Sequence, residues 1–308
     1  MRHLHQLSEK SDFVTVFIYP NLNKDGALEC TLNVCALLNE LGIKIKMSSQ
    51  LIDSIKLDYI EFITSNISIS DCDIVISVGG DGTILKCARL CAENDKELLG
   101  INCGRLGFMA TLEKEDIALL SRLVSGDYSV EKRMVLDVIV KRSNGDTEVY
   151  NALNDAVVYH GILGKIYDFK VIADGTVVSL LRADGIIFST PTGASAYSLS
   201  AGGPLIEPSL DCIEFTQICP HSLFARSMIF SPEKTLEVEY DAGSNTHVCL
   251  SIDGAEPIIL DKSDKLYIKR SDMRVKLVDI LGNSYFNAIG SKLMQPTKEL
   301  RRSDKNEG

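Results

Sequence analysis

The sequence lacks the features that would direct a protein to membranes, nucleic acids or an oxidising compartment. It has no tryptophan, no Cys-x-x-Cys pair and no hydrophobic run that approaches the ~20 apolar residues needed to span a bilayer. Residues 1–10 are rich in charge and histidine and contain no apolar segment of a secretory signal. With 42 acidic and 32 basic residues, the net charge of −10 disfavours a basic binding surface. We therefore expect neither nucleic acid nor membrane as a partner.

The nine cysteines are scattered and odd in number, which is typical of buried thiols in a reducing compartment. We expect a cytoplasmic protein. Hydrophobic residues make up 45% and charged residues 24%, the balance of a soluble globular enzyme. A length of 308 residues allows two domains of ordinary size.

The first part of the chain has the pattern of a parallel α/β domain. An apolar run over 14–19 predicts a strand, and the helical spacing that follows it ends at Gly42. Near-continuous apolar runs at 73–78 and 98–102 predict buried strands on either side of a second helix. We assign residues 1–130 to this domain.

The pattern changes after residue 130 to short, alternating β segments. Asn144-Gly145 predicts a hairpin turn. Further β-rich runs continue to residue 280, among them 147–160, 265–270 and 274–280, and a helix-like stretch at 194–200 interrupts them. These features predict a β-rich, mainly antiparallel domain over 131–280. We expect a closing helix over 281–295 to return to the first domain, followed by a charged tail over 296–308.

A glycine-rich turn lies between a predicted buried strand and a helix. Residues 79–83 read Gly-Gly-Asp-Gly-Thr, at the strand end where open α/β sheets bind ligands. Glycines permit close approach to phosphate, yet Asp81 repels phosphate unless it accepts a hydrogen bond from a hydroxyl or helps to hold a cation. The motif alone leaves a second interpretation open, in which Asp81 caps the helix.

Five segments in register resemble the NAD kinase family. The turn at 79–83 is shared with diacylglycerol and sphingosine kinases and with relatives of phosphofructokinase. The family's own signatures are similar to Ile-Asn-Cys-Gly-Arg-Leu-Gly-Phe at 101–108, Ala-Leu-Asn-Asp at 152–155, the run 184–204 with Thr-Pro-Thr-Gly-Ala-Ser-Ala-Tyr, and Cys-Pro-His-Ser-Leu at 219–223. The resemblance spans most of the chain, from about 74 to 254.

The resemblance implies a Rossmann-like α/β domain followed by a β-rich NAD-binding domain. It also implies NAD as substrate, ATP or polyphosphate as phosphoryl donor, a divalent cation such as Mg²⁺, and a homodimer or homotetramer. Carried over by position, Asp81 is the general base or orienting carboxylate at the 2′-hydroxyl of the adenosine ribose, and no residue is assigned as a metal ligand. The ligand-binding positions carried over are Gly80, Gly82, Thr83, Asn154, Asp155, Lys165, Arg182, Asp184, Ser195, Ala196, Tyr197 and Ser200.

The chain departs from the family pattern at a few positions. Asp155 replaces the more usual glutamate, which shortens its reach by one methylene, and Asp253-Gly254-Ala255 replaces Asp-Gly-Gln. We interpret Asp253 as a turn residue and His160 as a strand residue. Two alternative functions remain: a lipid kinase of the diacylglycerol type, which shares the glycine turn, and a non-catalytic NAD(P) sensor, against which the intact Asp81 argues.

Overall fold

The structure is a computed structural model that describes residues 14–64, 66–104, 107–161, 167–222, 224–241, 247–282, 285 and 288–290. It divides into two compact units. Unit 1 comprises Met1–Cys87, Lys96–Glu131 and Leu277–Gly308, and unit 2 comprises Ala88–Asp95 and Lys132–Lys276. The predicted tail and most of the predicted closing helix lie outside the described residues.

Unit 1 contains a parallel sheet whose strands follow the order β5-β4-β1-β2-β3. Its strands are β1 (Thr15–Pro20), β2 (Lys44–Ser48), β3 (Ile60–Ile63), β4 (Ile74–Gly79) and β5 (Glu97–Asn102), with the short β6 (Leu112–Glu113) parallel to β5. Every residue of β4 is buried, as expected for a parallel strand covered on both faces.

The helices of unit 1 follow the ends of these strands. They are α1 (Ala27–Glu40), α3 (Ser121–Ser125) and the first part of α2 (Asp81–Glu93), whose residues from Ala88 onward belong to unit 2. The 3₁₀ turns of unit 1 are Ser49–Leu51, Asn66–Asp71 and Lys114–Leu120. Helix α1 buries one face, including Val34 and Leu38, and the chain leaves it through Gly42 at φ 72°. A left-handed backbone at that position suits glycine.

Unit 2 is built mainly from antiparallel strands, which form two sheets. Its strands are β7 (Ser129–Lys141), β8 (Thr147–Ala152), β9 (Asp155–His160), β10 (Tyr167–Ala173), β11 (Thr176–Ala183), β12 (Gly185–Ser189), β13 (Ile213–Ile218), β14 (Met228–Phe230), β15 (Leu236–Asp241), β16 (Val248–Ile252), β17 (Ile258–Leu260) and β18 (Lys265–Asp279). One sheet has the order β14-β13-β12-β9-β16-β17, and the other contains β11-β10-β15-β18 with the β7–β8 hairpin. A 3₁₀ turn at Gly193–Ser195 leads into the short helix α4 (Tyr197–Ser200).

Each unit has its own hydrophobic core. In unit 2 the core draws side chains from both sheets, among them Phe169 of β10, Phe188 of β12 and Phe215 of β13. The Phe188 and Phe215 rings lie 5.4 Å apart at the centroids, a spacing favourable for aromatic pairs. The core of unit 1 lies around β1, β4 and α1.

The predicted fold class, a parallel α/β region followed by a mainly antiparallel β region, is confirmed. Several element bounds differ from the predicted ones. The runs at 265–270 and 274–280 form one continuous strand, β18, and the run at 147–160 divides into β8 and β9. Within the described part of the chain, no helix combines the length and apolar character needed to cross a membrane.

Candidate functional site

The glycine turn lies in unit 1, between β4 and α2. Strand β4 ends at Gly79 and α2 begins at Asp81, so the turn occupies the carboxyl edge of the parallel sheet. A side chain at Gly79 would meet the Thr83 hydroxyl at 2.2 Å, so the turn closes tightly on the first turn of the helix. Lys24, which the sequence analysis did not single out, also lies against this turn.

The Asp81 carboxylate is held by a second segment of backbone. Its Oδ2 accepts a hydrogen bond from the Phe108 amide at 2.8 Å, and its Oδ1 accepts bonds from the Met109 and Ala110 amides at 3.2 and 3.3 Å. A Cβ at Gly107 would lie 2.0 Å from Oδ1, so any side chain at this position would displace the Asp81 carboxylate. Since a carboxylate has about four acceptor positions, these three bonds leave Oδ2 able to accept another.

A small cavity of about 380 Å³ opens beside the same helix in unit 1. Thr83 and Lys86 of α2 line it together with Asn21, which follows β1. The predicted position Thr83 therefore borders open space, although its own side chain is buried.

Unit 2 contains a larger cavity, of about 640 Å³, where five of the predicted ligand-binding residues meet. These are Asn154, Asp155, Asp184, Ala196 and Tyr197; the other lining residues are Val157, Tyr159, His160, Ile218, Ser251, Asp253 and Gly254. Segments far apart in sequence reach the cavity because β9 lies between β12 and β16 in one sheet. Its volume is in the range of small-molecule sites.

The turn after β12 packs directly on the Asn154 backbone. The Thr190 amide donates to the Asn154 carbonyl at 2.9 Å. A Cβ at Gly193 would lie 2.1 Å from that same carbonyl oxygen. This close approach places the 3₁₀ turn and Tyr197 beside the Asn154–Asp155 pair, and Tyr197 keeps 46% of its surface exposed.

Asp253 fixes the segment 153–155 and was missed as a site residue. Its carboxylate accepts hydrogen bonds from the backbone amides of Leu153, Asn154 and Asp155 at 2.9, 2.7 and 3.0 Å. In return, the Asp253 amide donates to the Asp155 carbonyl at 2.9 Å. Asp253 has φ 50°, a left-handed conformation that its position before Gly254 in a tight turn requires. The Asp-Gly pair was the signal available in the sequence.

Asp155 and Asp253 are two buried carboxyl groups in one cavity. Burial, and secondly the nearby charge of Asp253, raise the pKa of Asp155 to about 7. Burial also raises the pKa of Asp253, although the three backbone amides act in the opposite direction. Asp155 therefore changes charge close to neutral pH.

Among the described residues, two buried polar atoms at this cavity have no hydrogen-bond partner. They are Oδ1 of Asn154 and Nδ1 of His160. Nε2 of His160 lies 3.5 Å from Oδ1 of Asp184. Because buried polar groups are nearly always satisfied, a ligand or water that enters the cavity would supply the missing partners. His160 is a β9 residue as predicted, but it also lines the cavity.

The other predicted positions that the structure describes do not line this cavity. Arg182 pairs with Asp168 at 2.6 Å on the surface, Ser195 donates to the Thr192 carbonyl, and Ser200 is exposed. Lys165 lies outside the described residues. Across the described ranges, no group of three or more His, Cys, Asp or Glu side chains is arranged to hold a metal ion.

Comparison with known proteins gives two family matches that together span most of the chain. Residues 16–128 match the ATP-NAD kinase N-terminal domain, and residues 153–280 match the ATP-NAD kinase C-terminal domain. The chain is 35% identical over 282 residues to the NAD kinase of Thermoanaerobacter sp. (strain X514), covering 91% of this chain and 99% of that one. It is 33% identical over 280 residues to the NAD kinase of Natranaerobius thermophilus, covering 91% and 97%.

Solved structures share the fold. A crystal structure of yeast NADH kinase complexed with NADH matches with a TM-score of 0.84 and 23% identity, covering 94% of this chain and 89% of that one. The structure of an NAD kinase from Archaeoglobus fulgidus in complex with ATP matches with a TM-score of 0.69 and 24% identity, covering 90% and 98%.

Proposed function

Since the chain belongs to the ATP-NAD kinase family, we propose that it transfers the γ-phosphoryl group of ATP to the 2′-hydroxyl of the adenosine ribose of NAD, giving NADP. Such a transfer needs alignment of a hydroxyl with the γ-phosphate and stabilisation of developing charge, without a covalent intermediate. The glycine turn of unit 1 and the cavity of unit 2 supply groups suited to these tasks.

The observation that carries the proposal is the unpaired, buried Asn154 Oδ1 beside Asp155 in the unit 2 cavity. An adenosine group offers both an amino donor for an amide oxygen and ribose hydroxyls for a carboxylate. Tyr197 contributes an exposed aromatic ring to the same cavity. We assign this cavity to the adenosine part of NAD, with Asp155 accepting from a ribose hydroxyl and Tyr197 contacting the base.

We assign Asp81 to the 2′-hydroxyl. The backbone amides at 108–110 hold its carboxylate in one orientation, and Oδ2 retains a free acceptor position. That position suits a carboxylate that orients the attacking hydroxyl and accepts its proton. The three amide donors partly offset the negative charge of Asp81, which lessens its repulsion of a phosphate group at the turn.

Mg²⁺, cytoplasmic location and self-association complete the proposal. Mg²⁺ is commonly held by substrate phosphates plus one or two carboxylates, and Asp81 offers one such carboxylate at the turn. When bound, the cation would neutralise charge on the triphosphate. A homodimer or homotetramer is supported by β11, an edge strand on which Leu180 is 77% exposed.

The test is NADP formation by the purified full chain with NAD, ATP and Mg²⁺. Asp81→Asn should lower kcat about 10²- to 10⁴-fold, because general-base assistance is lost. NAD binding by calorimetry should stay near that of the wild type. Asp58→Asn, an exposed aspartate of the same unit, serves as the matched control and should retain full turnover.

Two outcomes contradict the proposal. Stabilisation by NAD without any NADP formation would indicate a sensor. Phosphorylation of diacylglycerol in preference to NAD would indicate a lipid kinase. Near-normal turnover by Asp81→Asn would remove the role assigned to that carboxylate.

A further inference from the structure

Three strand ends of unit 1 bring a lysine into contact with the glycine turn. Lys24 lies in the loop between β1 and α1, and its ammonium donates to the Gly79 carbonyl at the end of β4 at 2.6 Å. It also donates to Oδ1 of Asn102, at the end of β5, at 3.4 Å. The carboxyl ends of adjacent parallel strands are where open α/β sheets bind ligands.

Gly80 and Gly104, which lie next to the lysine, leave room for its ammonium group. A Cβ at Gly80 would lie 2.6 Å from Nζ of Lys24, and a Cβ at Gly104 would lie 3.0 Å from it. Any side chain at either position would displace the lysine. Because these positions have no side chain, the ammonium group of Lys24 can contact the backbone of the glycine turn directly.

The loop that carries Lys24 is tied to the sheet. The Asn21 amide donates to the Val78 carbonyl at 2.9 Å, and the Lys24 amide donates back to the Asn21 carbonyl at 3.1 Å. The Ala27 amide then donates to the Lys24 carbonyl at 3.0 Å, where α1 begins. These backbone bonds fix the position of the lysine stem.

Asn102 is itself oriented so that its oxygen faces the lysine. It is fully buried, and its Nδ2 donates to the Glu113 carboxylate at 2.9 and 3.2 Å. The Gly104 amide donates to the same Oδ1 at 3.3 Å. If the amide flipped, its NH₂ group would face the ammonium and its oxygen would face the Glu113 carboxylate, which has no hydrogen to donate when ionised.

One donor of Lys24 remains available for a ligand. An ammonium has three N–H donors, and the two protein acceptors use two of them. None of the ion pairs among the described residues involves Lys24, which is only partly buried. A cation held in place and not neutralised by a carboxylate is suited to bind an anion.

We propose that Lys24 binds the terminal phosphates of the phosphoryl donor. The inference rests on the proposed function and names a residue for its donor side. Lys24 lies on Gly80, the residue directly before Asp81, and Asp81 contacts the adjoining 107–110 segment. If Asp81 orients the acceptor hydroxyl, the phosphoryl group in line with that hydroxyl lies at the same turn. The ammonium then stabilises the charge that develops during transfer.

The experiment measures binding of ATP, ADP and adenosine by calorimetry to the full chain and to Lys24→Met. ATP affinity should fall about 10- to 100-fold, as expected for loss of one charge-assisted hydrogen bond. ADP should lose less, and adenosine should bind unchanged. Lys56→Met, which removes an exposed lysine of the same unit, is the matched control and should bind ATP as the wild type does.

Steady-state kinetics provide the second readout. In Lys24→Met, kcat/KM for ATP should fall at least as far as ATP affinity, while KM for NAD stays within about twofold. Should Lys24→Met fold poorly, Lys24→Arg serves as the second variant: it keeps the charge on a bulkier group, and its ATP affinity should fall less than about tenfold below that of the wild type.

Several results would overturn the inference. These are unchanged ATP affinity in Lys24→Met, an equal loss for adenosine and ATP, a loss that falls on NAD instead, or no ATP binding by the wild type. The proposed function fails separately: a wild type that binds ATP through Lys24 but makes no NADP retains the inference and loses the kinase assignment.

Discussion

Asp155 offers a test of the cavity that needs no substrate. Its pKa of about 7 lies well above the ordinary value of 3.8, chiefly because the carboxyl group is buried. A raised pKa favours the folded state while the group is protonated, and this advantage is lost as the pH rises through the folded-state pKa. At pH 5 the folded state keeps the proton that the unfolded chain has lost, and at pH 8 both are ionised.

The size of the effect follows from these values. Between pH 5 and the folded-state pKa of about 7, each pH unit costs 1.36 kcal/mol, so the wild type loses ~3 kcal/mol of stability by pH 8 through this group. Asp155→Asn keeps the shape but carries no charge at either pH. We subtract the Tm of the wild type from that of the variant at each pH. This difference should be roughly 5–10 °C larger at pH 8 than at pH 5.

The assay is thermal unfolding of both proteins followed by circular dichroism, since the chain has no tryptophan for fluorescence. Titrating groups that do not interact with Asp155 cancel in the double difference. Asp272→Asn, at an exposed position, is the control and should show the same offset at both pH values. If the Tm difference between Asp155→Asn and the wild type were the same at both pH values, the assignment of a near-neutral titration to this carboxyl group would be refuted.

Three further predictions concern the same structures. Tyr197→Ala should raise KM for NAD roughly 2- to 10-fold through lost ring contact, and an unchanged KM would remove Tyr197 from the ligand. Gly107→Ala should lower the free energy of unfolding by about 1–3 kcal/mol and abolish turnover, because its Cβ would meet Asp81 at 2.0 Å. The control Gly82→Ala has no atom within 4 Å of its Cβ and should keep or raise Tm. Equal Tm values for the two variants would contradict the close packing at Gly107. Asp253→Ala should have a lower Tm than Asp253→Asn, because alanine leaves three backbone amides without an acceptor while asparagine keeps Oδ1 for two of them. The reverse order of Tm values would show that these hydrogen bonds do not hold the segment 153–155.

The element types of the chain were predictable because its patterns are local. A fully buried parallel strand such as β4 is a continuous apolar run, whereas apolar and polar residues alternate in the half-buried β7. The burial of each strand can therefore be predicted from its own residues. The short strands β3 and β14 were not predicted. The family was identified from five motifs in register, and the family matches confirm it.

The candidate site was only partly predictable. Asn154, Asp155, Asp184 and Tyr197 were expected to bind ligand from the motifs that contain them, and they line one cavity. His160 and Asp253 were interpreted as a strand residue and a turn residue. They occupy those elements, and their further part in the cavity depends on which strands are neighbours.

Sequence alone determined the chemistry available to this protein: a carboxylate in a glycine turn, an Asn-Asp pair, and an aromatic ring after a small-residue turn. Tertiary structure decided which of those groups are held, paired or left unsatisfied. The ammonium of Lys24 binds the carbonyl of Gly79, 55 residues away in the sequence. The carboxylate of Asp253 binds the amide of Asp155, 98 residues away. The physical reason is that charge, desolvation and hydrogen bonding depend on distance in space, which sheet order sets and local sequence pattern does not.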